Sequence, residues 1–121
     1  MLRSFIMTEL FDASWEDLHL SDNDLQLLQA ELLHNPKIGD VIQGTGGFRK
    51  MRFAFSGRGK SGGLRIIYLD VPDYKTLYLM LAYPKSEKDT LSSKECNELQ
   101  RIAVNIKNNL RENNRRRNKN A

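Results

Sequence analysis

Apolar residues recur along this chain with two different periods, and the changes of period divide it into a helical beginning, a run of strands and a helical end. After a short polar start, Phe5 to Met7 suits a first strand. Glu9 to Leu18 then places Leu10, Phe11, Trp15 and Leu18 at helical spacing, with Trp15 directed to the core. Ser21 followed by Asp24 has the form of a capping box with Asp in place of Glu. Leu25, Leu28 and Leu32 mark the buried stripe of the helix it opens, which ends near His34 because Asn35 and Pro36 cannot continue it.

The period then shortens. Phe48 to Phe55 partly alternates aromatic and basic residues, Leu64 to Leu69 is a β-branched and aromatic run, and Thr76 to Tyr83 is almost wholly apolar, which predicts three strands in succession. Ser56 to Gly63 is too short for a parallel crossover, and Asp70 to Lys75 contains Pro72, so both joints are expected to be hairpins and the sheet antiparallel. Ser92 opens a second capping box, Ser-Ser-Lys-Glu, and Leu99, Ile102, Ala103, Ile106 and Leu110 line a last amphipathic helix. The expectation is an α+β fold with N-terminal helices, an antiparallel β-meander sheet and a C-terminal helix. Residues 1–112 form one domain in this reading; Asn113 to Ala121, with Arg115, Arg116 and Arg117, have nothing to bury and are expected to form a flexible basic tail.

Composition narrows the class. A chain of 121 residues, 40% hydrophobic and 28% charged, is ordinary for one soluble domain. The single cysteine, Cys96, has no partner for an internal disulfide, no spacing suits zinc, and no apolar run approaches the roughly 18 residues a membrane span needs. MLRSFIM is too short for a signal peptide, so a cytoplasmic protein without membrane contact is expected.

Charge changes the picture more. Residues 1–40 carry eight acids against Arg3 and Lys37, whereas Val41 to Leu69 holds six basic residues, seven glycines and no acid. The overall charge of +4 is therefore segregated, which favours a polyanionic partner. Gly57, Gly59 and Gly62 spell GxGxxG, but a strand follows where the dinucleotide fingerprint requires a helix, and Ala82 stands where an acid would meet the ribose. Gly59-Lys60-Ser61 resembles part of a phosphate loop whose first glycine would fall on Ala54. A hairpin loop carrying Arg58 and Lys60 is the better reading.

His19 and His34 both lie in the acidic helical half and read as structural. With no Cys/His or Ser/His pairing in view, any chemistry falls to Lys, Arg and Tyr. Such a cluster suits stabilisation of a phosphorane, as in RNA cleavage by the substrate's own 2′-OH, without metal or cofactor. Arg65, alone between Leu64 and Ile66, is expensive to bury and must reach solvent or meet an anion.

Three ordered blocks, NPKIGDVIQGTGGFRKMR from Asn35, KSGGLRIIY from Lys60 and LAYPKSEKDTL from Leu81, resemble the RelE/HigB family of bacterial toxin-antitoxin toxins, the GTGG-containing block its HigB branch most closely. The resemblance spans roughly residues 20–110. It implies an α+β endoribonuclease that enters the A site of the 70S ribosome and cleaves mRNA, leaving a 2′,3′-cyclic phosphate and a 5′-hydroxyl, and it implies a cognate helix-turn-helix antitoxin. By the same resemblance Arg65 contacts the scissile phosphate. Lys50 and Arg52, two apart on one strand face, position the phosphate, with Lys50 a candidate base because neighbouring cations favour a neutral amine. Lys85 matches a basic position that stabilises the transition state or protonates the leaving oxygen, and Tyr83 can stack on a base. Arg49, Arg58, Lys60 and Lys88 are further substrate-binding candidates, Arg49 on the opposite strand face from Lys50. RelE has a tyrosine a few residues beyond the position of Lys85, where this chain has Asp89, Thr90 and Leu91, so the group that removes the 2′-OH proton stays open. The alternative is a non-catalytic RNA- or ribosome-binding module that uses the same basic face together with the Arg115 to Arg117 tail.

Overall fold

The computed structural model describes residues 2–54, 63–87 and 90–119. Its elements follow in the order β1 (Ser4–Met7), α1 (Glu9–Asp17), α2 (Asp22–His34), β2 (Asp40–Val41), β3 (Arg49–Phe53), β4 (Leu64–Val71), β5 (Thr76–Pro84) and α3 (Ser93–Lys119), with a 3₁₀ turn at Pro72–Tyr74 between β4 and β5. The strands form one sheet in the order β1-β5-β4-β3-β2. The meander β3-β4-β5 is antiparallel as the turns predict, but β1 pairs parallel with β5, so the sheet is mixed. The parallel pair is possible because α1, α2 and the strands up to β4 separate its members in sequence.

The sheet is packed on both faces. Phe11 and Trp15 of α1 and Leu28 and Leu32 of α2 bury against Met51, Phe53, Leu64, Ile66 and Tyr68 on one face. Leu99 and Ala103 of α3 cover Phe48, Ile67, Leu69 and Val71 on the other. Central β4 is consequently buried along nearly its whole length, which is why its sequence is apolar without alternation. Phe11 and Trp15 stack at 5.4 Å, placing Trp15 in the core as its spacing predicts.

Both capping boxes form. Asp24 N–H donates to the Ser21 hydroxyl while Ser21 N–H donates to the Asp24 carboxylate, and Ser92 and Glu95 make the same reciprocal pair at the start of α3. His19 is exposed at φ 56°, closing the turn between α1 and α2. Helix α1 also protects a sheet edge. Past Met7 the outer side of β5 has no strand partner, and there Ser14 Oγ accepts from Ala82 N–H while the Thr8 hydroxyl donates to Met80 C=O.

Two corrections concern chain segments. The two-residue strand β2 bridges Asp40 and Val41 to Lys50 and Arg49, where the sequence reads only a glycine-containing connection. The expected frayed segment from Asn113 is helical as far as Lys119, continuing α3 past its last partly buried residue, Leu110. Segment 55–62, which contains Arg58, Lys60 and the GxGxxG glycines, lies outside the described residues, as does Lys88. The element after that segment is strand β4, so the helix that a dinucleotide loop requires is absent.

Candidate active site

Register brings the sequence-predicted cations together. Arg52 of β3 stands opposite Arg65 of β4, and Arg65 opposite Tyr83 of β5, so the three side chains form one row across the sheet on the face that carries α3. Lys50, two residues from Arg52, shares that face. Tyr83 reaches the row through a β-bulge. Tyr68 pairs with Leu79 and Ile67 with Leu81, which leaves Met80 unmatched and reverses the alternation of β5 beyond it. Without that extra residue Tyr83 would face α1.

The row borders an open cleft of about 420 Å³ walled by Ile38, Asp40, Lys50, Met51, Arg52 and Arg65. Arg52 is exposed and Lys50 half-buried, whereas Arg65 is only 7% exposed. Among the described residues neither Arg52 nor Arg65 has a hydrogen-bond or ion-pair partner. Two guanidinium groups directly opposite one another repel, and a nearly buried cation without a counter-ion is costly. An anion between them relieves both penalties, and a planar guanidinium is well shaped to grip phosphate with two N–H groups.

The cleft wall opposite the strands is the 35–40 segment, and the fold holds it by an arrangement invisible in the charge pattern. Tyr68, fully buried in β4, donates its hydroxyl to Pro36 C=O at 2.8 Å and accepts from Gly39 N–H at 3.0 Å. Burial pushes the Tyr68 phenol above its ordinary value, with Gly39 N–H and the nearby Arg49 charge acting against the rise. Gly39 lies so close to β3 that a Cβ there would stand 2.9 Å from the Lys50 carbonyl carbon and oxygen. Arg49, on the α2 side of β3, donates to Gly39 C=O at 2.7 Å. Arg49 is therefore outside the cationic row and serves as a clamp on this segment.

That clamp brings Asp40 to the cleft, paired in register with Lys50. The acid-free window begins one residue later, at Val41, so the charge pattern alone does not reveal that a carboxylate folds back beside its cations. Lys85 stands exposed in the turn after β5, at the same end of the sheet as Arg65 because Pro84 pairs with Leu64, but it does not line the cleft. Among the described residues no three His, Cys, Asp or Glu side chains gather into a group able to hold a metal ion, and no helix is long and apolar enough to cross a membrane.

Comparison with known proteins agrees with this architecture. The model of the RelE toxin of the RelE/RelB toxin-antitoxin system matches residues 7–119. A solved structure of E. coli toxin RelE in the free state, a double arginine-to-alanine mutant, superposes with a TM-score of 0.52 at 16% identity over 74% of this chain and 90% of that one. At that identity the superposition speaks for the fold, an α+β domain with a mixed sheet and a C-terminal helix. With the family match running over nearly the whole chain and the fold agreeing, this protein belongs to the RelE family of toxin-antitoxin toxins.

Proposed function

We propose that the chain is an endoribonuclease toxin that cleaves mRNA in the ribosomal A site in the bacterial cytoplasm, and that a cognate antitoxin, of helix-turn-helix type as in the HigB branch, neutralises it. The observation that carries the reading is Arg65, nearly buried, facing Arg52 across the sheet, with no counter-ion among the described residues. A fold keeps such a pair where an anion completes it.

In the reaction the substrate's 2′-oxygen attacks the adjacent phosphorus while the bond from phosphorus to the 5′-oxygen breaks, giving a 2′,3′-cyclic phosphate and a 5′-hydroxyl. The proton leaves the 2′-OH for a base, and another reaches the departing 5′-oxygen. Arg65 and Arg52 bind the non-bridging oxygens and stabilise the extra negative charge of the phosphorane, the largest contribution such a site can make. Lys50 extends the same field toward Asp40. Tyr83, beside Arg65 in the row, is 5% exposed and packs among the residues under α3, and Lys85, exposed in the turn after β5, is the cation we assign to the leaving group. Holding the ribose in line supplies much of the remaining acceleration.

The test is induction of the chain without antitoxin, followed by mapping of mRNA 5′ ends. New 5′-hydroxyl ends within translated frames are expected. Arrested translation with intact message would instead favour the non-catalytic binding module.

A further inference from the structure

The charge on α3 is arranged. Lys107, Arg111 and Arg115 follow one another at intervals of four residues, so successive cations rise about 6 Å along a common side of the helix. Like charges at this spacing repel and weaken a helix, and the acid nearest them offers little relief: Glu112 meets Arg115 and Arg116 at 3.7 and 3.9 Å in exposed positions. Leu110 is the last apolar residue of the helix; from Arg111 to Lys119 there are only Arg, Lys, Glu and Asn.

The ladder is anchored on the sheet face that carries the candidate active site and runs from there toward the opposite end of the sheet. Lys107 Nζ donates to Gly46 C=O at 2.9 Å, and Gly47 lies between that amine and Leu69. Leu69 is four residues along β4 from Arg65, or about 13 Å. From there the helix carries its cations past the end of the sheet where β5 begins, since Leu110 lies beside Tyr74 and Thr76. The site cations and α3 share one face of the sheet, whereas exposed Glu9, Asp12, Glu16, Asp17 and Asp22 belong to the helices on the other. One polyanion can thus meet both cationic elements on a single face of the sheet, whose exposed acids include Asp40 of the cleft and Glu98 and Glu112 of α3.

We infer that the α3 extension is a second RNA-binding surface, which grips the phosphate backbone of a strand or helix at a distance from the cleaved nucleotide. The absence of apolar residues decides between RNA and a protein partner. Protein interfaces bury an apolar centre, which residues 111–119 cannot provide, while Arg, Lys and Asn are the side chains that hold hydrated phosphate and sugar. The inference rests on the proposed RNA substrate but not on its cleavage.

The experiment uses the full chain in an Arg65→Ala background and a labelled single-stranded RNA of about 20 nucleotides, with affinity read by anisotropy as KCl is raised. Arg111→Glu with Arg115→Glu is expected to weaken binding about tenfold or more at 0.1 M salt and to reduce the slope of log K against log salt by about 1 to 2. Arg111→Gln with Arg115→Gln, checked for unchanged helicity by circular dichroism, is expected to give a smaller loss in the same direction. An unchanged slope in both variants overturns the inference. So does a polyglutamate peptide that binds the parent as tightly as the RNA and is lost to the same extent. Failure of the parent chain with Arg65 intact to generate 5′-hydroxyl ends would sink the proposed ribonuclease while leaving this binding result standing.

Discussion

The two faces of strand β4 treat a buried polar side chain in opposite ways. On the α1/α2 face, the Tyr68 hydroxyl both donates and accepts, to Pro36 C=O and from Gly39 N–H. On the α3 face, three residues earlier, Arg65 is almost as deeply buried and has no partner among the described residues. A buried group satisfied from within holds the fold together; one left unmet is a cost the fold carries until a ligand arrives. The difference is the ground on which we propose a functional role for Arg65 and a structural one for Tyr68.

The largest expected effect follows from that contrast. Arg65→Ala should lower cleavage by about 10²–10³ or more, the scale for losing one donor to a developing oxyanion. Arg65→Met keeps the volume and removes the charge; it should lose cleavage to a similar degree while the thermal midpoint rises, by about 4 °C if the relief is about 1 kcal/mol. A midpoint that falls by several degrees in Arg65→Met would show that the guanidinium holds the fold and would erase the contrast.

Tyr68→Phe should act the other way. It leaves Pro36 C=O and Gly39 N–H buried without partners, costing about 2 kcal/mol of stability by denaturant titration. The sign of its pH dependence is set by the raised phenol. Because the folded pKa lies above the unfolded one, the stabilisation is complete below about pH 10 and declines as pH rises through the folded value. The gap between wild type and Tyr68→Phe should therefore be constant from pH 6 to 9 and narrow at higher pH. A gap that widens there would contradict the burial argument.

How much of this was legible depends on whether the signal was local. Leu25, Leu28 and Leu32, the Ser21 and Ser92 caps and the apolar runs of β4 and β5 are local patterns, and the elements formed where they predicted. Arg65, Lys50 and Arg52 could be placed on one face because strand alternation is also local. The position of Tyr83 depends on one unmatched residue, Met80, and no periodicity announces it. The clamp of Tyr68, Gly39 and Arg49 joins residues ten to thirty-two positions apart. Strand alternation sets Arg49 on the face opposite Lys50, but its bond to Gly39 C=O, ten residues away, leaves no local signal, so in the sequence it is a substrate-binding candidate. The continuation of α3 past Leu110 had no apolar stripe to signal it.

Asp40 is the smallest and sharpest probe of the comparison, because it lies where the two treatments meet. The clamp on the Tyr68 side delivers its carboxylate to the cleft on the Arg65 side, next to Lys50. If the cleft receives phosphate, that carboxylate opposes the ligand's charge. Asp40→Asn should tighten binding of a non-cleavable 2′-deoxy oligonucleotide a few-fold at low salt, with the gain shrinking as salt screens the pair. Tyr68→Phe, by loosening the segment that carries Asp40, should reproduce part of the gain in affinity despite its loss of stability. An affinity that falls in Asp40→Asn would mean that the carboxylate orients Lys50 for the substrate and does not merely compete with it, and the cleft would then count Asp40 among its positioning residues.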